Sequence, residues 1–123
     1  MAKDNKLTKS VGEHFVCSAL AQEDWAASLT RDGVERTDVL AVHSETREMV
    51  EVQVKTSATH AKPSWRLGEV PLARSEREWY VLVALGGSVR ERPRCFVVPR
   101  DHVAAGGVDQ PQRLAHRPRR SCR

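Results

Sequence analysis

The segment that decides the fold runs from Thr37 to Lys55 and consists of Thr-Asp-Val-Leu-Ala-Val-His-Ser-Glu-Thr-Arg-Glu-Met-Val-Glu-Val-Gln-Val-Lys. A short polar stretch, 44–47, separates two apolar-rich arms, a pattern that predicts a β-hairpin. In the second arm, valines alternate with Glu51, Gln53 and Lys55. Because alternate residues of a strand lie on opposite faces, one face of this arm is apolar and the other is polar.

The length of the turn predicts the register of the hairpin. If the turn is the four residues 44–47, the numbers of facing residues sum to 91. Asp38 then faces Gln53, and Leu40 faces Glu51. Under this register, one end of a face of the hairpin is polar and carries Asp38, Gln53, Glu51 and Lys55. Apolar side chains are expected at the other end of that face: Leu40, Val42 and Met49.

The predicted polar cluster has the chemistry of a metal site. Hard divalent cations such as Mg²⁺ and Mn²⁺ prefer oxygen ligands, which Asp38 and Gln53 can supply, with Glu51 as a further candidate. The ammonium of Lys55 would lie beside such an ion. It could orient or deprotonate a water molecule, or stabilise the charge that develops on a phosphate.

The segments on either side of the hairpin predict one helix and three more strands. Apolar spacing indicates a helix from Thr8 to about Gln22, and Ser10 with Glu13 matches a capping box at its start. The strands are expected at 25–29, 79–85 and 95–98. Between the hairpin and the fourth strand we expect a long loop from Ala58 to Arg77 with one helical turn near Ala73.

The order of these elements predicts an α/β fold with a mixed sheet of about five strands flanked by helices. A short helix capped by Asp101 and ending near Ala105 would complete a domain at 1–108. The remaining residues, 109–123, are rich in arginine and poor in apolar side chains, so we expect a disordered basic tail.

Composition limits the classes to which the protein can belong. The 123 residues are 40% hydrophobic and 29% charged, as in one soluble globular domain. No run approaches the roughly 20 apolar residues needed to span a bilayer, and no secretory signal begins the sequence. Cys17, Cys95 and Cys122 form no CxxC pair, so neither a disulfide framework nor a cysteine zinc site is indicated, and a cytoplasmic location is expected.

Charge is segregated along the chain. Residues 1–60 contain 7 Lys/Arg and 10 Asp/Glu, a balance of −3, whereas residues 61–123 contain 13 and 6, a balance of +7. An acidic half that can hold a cation and a basic half that attracts a polyanion suit a metal-dependent enzyme acting on nucleic acid. Solvated faces and a loose basic tail are the alternative explanation.

Together, these motifs resemble the PD-(D/E)XK nuclease superfamily, in the branch where glutamine replaces the acid of the last element. The resemblance extends over residues 10–99 and rests on Gly12-Glu13, Thr37-Asp38 and the run 53–57, Gln-Val-Lys-Thr-Ser. It is also similar to small bacterial domains of that superfamily, including intron-encoded homing endonucleases and archaeal Holliday junction resolvases.

This resemblance implies a restriction-endonuclease-like core and a DNA endonuclease activity that depends on Mg²⁺ or Mn²⁺. Carried over by position, Glu13, Asp38 and Gln53 would be the metal ligands, and Lys55 the catalytic lysine. The chain departs from the family at Thr37, where many members have proline, in the neutral Gln53, and in lacking a convincing final helix.

Candidate nucleic-acid contacts lie outside the hairpin. Trp65 stands in the long loop with Lys62 and Arg66, where stacking and charge could hold a strand, although packing of the tryptophan over the sheet is the alternative. A second basic cluster falls in the turn before the last strand: Arg90, Arg92 and Arg94. The expected partner is DNA, with RNA and a homodimer left open.

Other interpretations also remain open. Glu13 could serve only as a capping-box carboxylate. The nuclease fold could be retained by a module that binds nucleic acid or protein without cleaving anything. Finally, the sequence could be a fragment of a longer protein.

Overall fold

The computed structural model describes residues 5–30, 37–58, 62–68, 70 and 72–102. Within them, one long helix precedes five strands: α1 (Asn5–Gln22), β1 (Trp25–Leu29), β2 (Val39–His43), β3 (Met49–Ser57), β4 (Glu78–Ala84) and β5 (Arg94–Pro99). The strands form one sheet in the order β1-β2-β3-β4-β5. The β3–β4 pair is parallel and the other pairs are antiparallel, so the expected mixed five-stranded α/β fold is confirmed.

The β2–β3 hairpin has the predicted register. Leu40 faces Glu51, and the ladder ends at Val39, which faces Val52. The backbone N–H of Asp38 also donates to the carbonyl of Val52, at 2.8 Å, so the expected pair of Asp38 with Gln53 is not part of the ladder. The turn is closed by the N–H of His43, which donates to the carbonyl of Glu48 at 2.8 Å. Strict alternation set this register because a slip of one residue would move every valine of β3 to the wrong face.

The helix α1 begins at Asn5, so the predicted start at Thr8 and the capping box are wrong. Ser10 and Glu13 lie inside the helix, where Ser10 Oγ is 3.3 Å from Nδ1 of His14. An S-x-x-E pattern caps a helix only when its first residue has left the helical conformation, which Ser10 has not.

The two faces of the sheet are covered differently. We call the side that packs on α1 the helix face; its buried core includes Val16 of the helix with Val52, Val54 and Val83 of the sheet. On the opposite side, which we call the loop face, Trp65 packs with a second buried set: Tyr80, Leu82, Ala84 and Val98. Gln53 and Lys55 lie on the loop face because they are in register with Tyr80 and Leu82.

The apolar end of the hairpin is more open than the sequence suggested. Leu40 is 44% exposed and Met49 is 50% exposed, so these side chains form no apolar base beneath the polar cluster. Separately, none of the helices within the described ranges is long and apolar enough to span a membrane.

The expected helical turn near Ala73 is absent, and residues 72–77 form bends and a turn instead. The carboxylate of Glu78 accepts hydrogen bonds from the backbone N–H groups of Arg74 and Ser75, which ties this segment to the start of β4. A side-chain acceptor that takes these N–H groups competes with helix formation.

Residues 100–102 are helical, as expected for the start of a short final helix. The carboxylate of Asp101 does not precede that helix but lies within it, and it accepts a hydrogen bond from the N–H of Ala73 at 2.7 Å. The remainder of the predicted helix and the tail at 109–123 lie outside the described residues.

Candidate functional site

A polar cleft of about 250 Å³ lies where the N-terminal half of α1 passes the polar end of the hairpin. Its lining comes from α1, the start of β2 and the second half of β3: Thr8, Lys9, Asp38, Gln53, Val54, Lys55 and Thr56. The cleft therefore gathers three of the four residues expected to carry the chemistry: Asp38, Gln53 and Lys55. The fourth, Glu13, does not line it, and neither does the further ligand candidate Glu51.

Asp38 is held by the backbone of the neighbouring strand. Its Oδ2 accepts a hydrogen bond from the N–H of Val54 at 2.8 Å, and its side chain is 19% exposed. The other carboxylate oxygen, Oδ1, lies 3.9 Å from Nζ of Lys9. One oxygen is thus used for positioning, and the other faces the charged groups of the cleft.

Glu13 reaches the same ammonium from the helix. Its Oε2 lies 3.8 Å from Nζ of Lys9, and its side chain is 17% exposed. Glu13 and Asp38 therefore converge on one cation although they belong to different elements. Lys9 was missed by the sequence reasoning, although its spacing of four residues before Glu13 predicts contact on a helix surface.

Gln53 contacts a residue that the sequence did not suggest. Nη1 of Arg100 donates a hydrogen bond to Oε1 of Gln53 at 3.0 Å. The guanidinium also lies over the ring of Tyr80, 5.1 Å from its centroid. No local pattern links Arg100 to the hairpin, because 47 residues separate it from Gln53.

A close helix–strand contact brings α1 to the cleft. A Cβ placed on Gly12 would overlap Oγ1 of Thr56, so only glycine allows this approach. Among the described residues, Oγ1 of Thr56 is buried and has no hydrogen-bond partner. The contact positions Lys9, one turn before Gly12, and Glu13, directly after it, near the polar end of the hairpin.

Two of the described carboxylates could serve as ligands of a magnesium ion. In the part of the chain that the structure describes, no group of three or more His, Cys, Asp or Glu side chains could hold a metal ion. Asp38 and Glu13 nevertheless offer two convergent carboxylates. Mg²⁺ is commonly held by one or two carboxylates together with phosphate oxygens rather than by a complete protein cage.

Cys17 does not add a soft ligand to this set. Burial raises the pKa of its thiol above the ordinary value, and the negative charge of Glu13 raises it further. The raised pKa keeps the Cys17 thiol protonated at neutral pH, and metal binding requires the thiolate.

The loop face also carries basic residues. Lys62 and Arg66 are exposed, whereas Trp65 between them is 4% exposed and donates from Nε1 to the carbonyl of Val83 at 3.1 Å. The tryptophan is therefore a packing residue and is not available to stack on a base. It anchors its loop over β4 and β5.

The second basic cluster follows the C-terminal end of β4. Arg90, Arg92 and Arg94 are exposed in and after the turn between β4 and β5. Arg94 faces Ala84, which is itself in register with Ser57. Because Ser57 and Lys55 are two residues apart on one strand, Arg94 projects from the same face as Lys55.

Comparison with solved structures finds one similar fold. The chain is similar in fold to a bacterial homing endonuclease. That protein, I-Ssp6803I, superimposes with a TM-score of 0.57 at 15% sequence identity, and the match covers 85% of this chain and 75% of that one. Comparisons with protein-family models and with curated proteins find no match to the sequence. The fold is thus nuclease-like, as the sequence motifs implied.

Proposed function

We propose that the protein is a metal-dependent endonuclease-like domain of the PD-(D/E)XK type that hydrolyses phosphodiester bonds in DNA. The observation that carries the proposal is the convergence of the Glu13 and Asp38 carboxylates on Lys9, at the cleft that Asp38, Gln53 and Lys55 line. The fold shared with a homing endonuclease supports it, because the cleft of this protein then lies on a nuclease-like framework.

In this proposal, Asp38 and Glu13 hold Mg²⁺ or Mn²⁺, whereas the side-chain oxygen of Gln53, expected as a third ligand, already accepts a hydrogen bond from Arg100. The bound ion would supply a Lewis acid and lower the pKa of a water molecule. Lys55 stabilises the negative charge that develops on the attacked phosphate. Asp38 keeps its orientation throughout because Oδ2 is held by the N–H of Val54.

The charge around the cleft suits an anionic substrate. Among the residues that line the cleft, the cations of Lys9 and Lys55 outnumber the single carboxylate of Asp38. A phosphate would therefore be attracted even before an ion is bound. Exposed basic residues of the long loop and of the β4–β5 connection would contact the backbone of the nucleic acid: Lys62, Arg66, Arg90, Arg92 and Arg94.

The test is cleavage of plasmid, linear and branched DNA with and without Mg²⁺ or Mn²⁺. We expect Lys55→Met and Asp38→Asn to lower the cleavage rate by at least about a hundredfold, the scale of removing one stabilising group. Arg77→Met, an exposed change at the opposite end of β4, serves as the control and should keep the wild-type rate. Equal rates in the wild type and in both cleft variants would sink the proposal.

The second candidate is a nuclease-fold module that binds nucleic acid or a protein partner without cleavage. It is favoured by two observations: the Gln53 oxygen already accepts from Arg100, and Lys9 lies between the two carboxylates. Calorimetry with Mn²⁺ separates the two functions. Saturable binding that is lost in Asp38→Ala supports the enzyme, whereas no binding at about 1 mM, an ordinary limit for a weak site, supports the module.

The remaining parts of the proposal are a cytoplasmic location, a preference for DNA over RNA, and the monomer or homodimer state. Repeating the cleavage assay with single- and double-stranded RNA tests the substrate. Light scattering of the purified chain with and without DNA tests the oligomeric state.

A further inference from the structure

Arg100 is a charged residue enclosed almost completely by the protein. It is 3% exposed and directly follows β5. Arginine stays protonated at all ordinary pH values, so its burial is costly unless the guanidinium is hydrogen bonded or stacked. Two of its contacts are the oxygen of Gln53 and the ring of Tyr80, itself 2% exposed. A desolvated guanidinium on an aromatic face has little freedom to turn away.

This contact decides which atom of Gln53 faces which side. A guanidinium has only donors, so the atom that it meets must be the carbonyl oxygen of the amide. The amide nitrogen of Gln53 is then on the far side of the planar group from Arg100. For many side-chain amides the positions of the oxygen and the nitrogen could be exchanged, but here the donor-only guanidinium fixes them.

The sheet places this amide between Arg100 and the cleft. Gln53 is in register with Tyr80, over which Arg100 lies, and it also lines the cleft together with Asp38 and Lys55. Glutamine suits both sides because it offers an acceptor to Arg100 and donors to the cleft.

We infer that Arg100 is a positioning residue of the cleft: it takes up the side-chain oxygen of residue 53, so that Gln53 presents N–H groups to the cleft and acts as a hydrogen-bond donor. The identity of the group that accepts a hydrogen bond from Gln53 rests on the proposed function. The amide N–H groups and the Lys55 ammonium together fit a phosphate oxygen. The positioning role of Arg100 also accounts for glutamine at position 53, because a carboxylate there would be neutralised by Arg100 instead of facing a metal ion.

The test is a double-mutant cycle on Mn²⁺ affinity, measured by calorimetry for the wild type, Gln53→Glu, Arg100→Met and the double variant. With Arg100 present, Gln53→Glu should change the dissociation constant by less than about threefold, because the guanidinium neutralises the new carboxylate. In the Arg100→Met background, the same change should tighten Mn²⁺ binding by about tenfold or more, as a nearby opposite charge typically does. An equal effect of Gln53→Glu in both backgrounds would overturn the inference. A role in folding alone predicts that equality.

A second measurement does not depend on metal. The side-chain amide ¹⁵N–¹H signals of Gln53, assigned by their loss in Gln53→Glu, should shift in Arg100→Met and again on addition of inorganic phosphate to the wild type. Should Arg100→Met fail to fold, Arg100→Lys keeps a buried charge without the guanidinium fork and should also move these signals. Unchanged signals in the folded variant contradict the inference whatever the metal results are.

The two measurements separate the inference from the proposed function. A wild-type protein that binds no Mn²⁺ and cleaves no DNA contradicts the enzyme, and the inference is then decided by the amide signals. A wild-type protein that binds Mn²⁺ but shows no dependence of Gln53→Glu on Arg100 keeps the enzyme and removes the positioning role.

Discussion

The carboxylate of Asp38 accepts a hydrogen bond from the backbone N–H of Val54 at 2.8 Å, across a separation of sixteen residues. The bond exists because the residue just before β2 lies against the middle of β3, where the backbone N–H of Asp38 also donates to the carbonyl of Val52 at 2.8 Å. It holds one oxygen of the carboxylate against the sheet. The second oxygen is thereby directed to the cleft, where Lys9 approaches it.

Asp38→Ala and Asp38→Asn should separate the positioning role of this side chain from its charge. Alanine removes the acceptor for the Val54 N–H and should lower the free energy of unfolding by about 1–2 kcal/mol. Asparagine keeps an acceptor oxygen and should lose less than half as much, while both variants lose Mn²⁺ binding. Urea unfolding and calorimetry measure the two effects, and an equally destabilised Asp38→Asn would contradict the proposed use of Oδ2.

Gly12→Ala should destabilise the protein although alanine favours helices. The new Cβ would overlap the Thr56 side chain, and overpacking of this kind costs about 1–3 kcal/mol, against a helix-propensity gain of about 1 kcal/mol. We expect a net loss in thermal and urea unfolding. Ser18→Ala, an exposed position of the same helix, is the control and should change stability by less than about 0.5 kcal/mol. A stabilised Gly12→Ala would contradict the close contact.

Lys9→Met should strengthen divalent metal binding. The ammonium lies within 4 Å of a carboxylate oxygen of both Glu13 and Asp38, so it competes for the charge that an ion would use. The variant should bind Mn²⁺ about three- to tenfold more tightly, the effect of removing a like charge from a partly exposed site. Arg77→Met provides the matched loss of a distant charge. Weaker Mn²⁺ binding in Lys9→Met would instead mean that the lysine supports the site.

Arg94→Gln should weaken DNA binding and reduce its dependence on salt. Each phosphate contact that is lost lowers the slope of log K against log salt by about 1, whatever the DNA sequence. Fluorescence anisotropy over a range of KCl concentrations, with EDTA present to prevent cleavage, gives both quantities. Arg77→Gln removes an equal charge away from Lys55. The same slope in the two variants would exclude a specific contact at Arg94.

The thiol of Cys17 should make stability depend on alkaline pH. Burial and the charge of Glu13 raise its pKa in the folded protein above the ordinary value of 9.0 that holds in the unfolded chain. The neutral thiol is therefore favoured by folding, and its contribution is complete below pH 9 and is lost as the pH rises through the folded-state pKa. Urea unfolding between pH 8 and 10.5 should show a steeper decline for the wild type than for Cys17→Ala. Parallel curves would contradict this linkage.

Much of the site could be predicted from the sequence because it lies on one hairpin. Alternation in β3 and the length of the turn fix which side chains share a face, and both are local properties of the chain. They predicted that Asp38, Gln53 and Lys55 lie together, and all three line the cleft, although the ladder does not extend to a pair between Asp38 and Gln53. The start of α1 was mispredicted because a capping pattern looks the same within a helix as at its end, and only the preceding residues' conformation distinguishes them.

The residues that the sequence did not reveal meet the hairpin across tertiary contacts. Arg100 reaches Gln53 only because β5 pairs with β4 and Tyr80 supports the guanidinium. Likewise, the basic neighbours of Trp65 in the sequence allowed the tryptophan to stack on a nucleic acid. Its burial against β4 shows that it packs on the sheet instead.

The amino-acid sequence by itself determined the sheet, the register of its central hairpin and the set of polar residues on one face, because these depend on alternation and turn length. Only the tertiary structure decided how those residues are used. The approach of α1 at Gly12 brings Glu13 and Lys9 to Asp38, and the pairing of β5 brings a buried cation to Gln53. Such contacts depend on distances between elements, which no periodicity along the chain encodes.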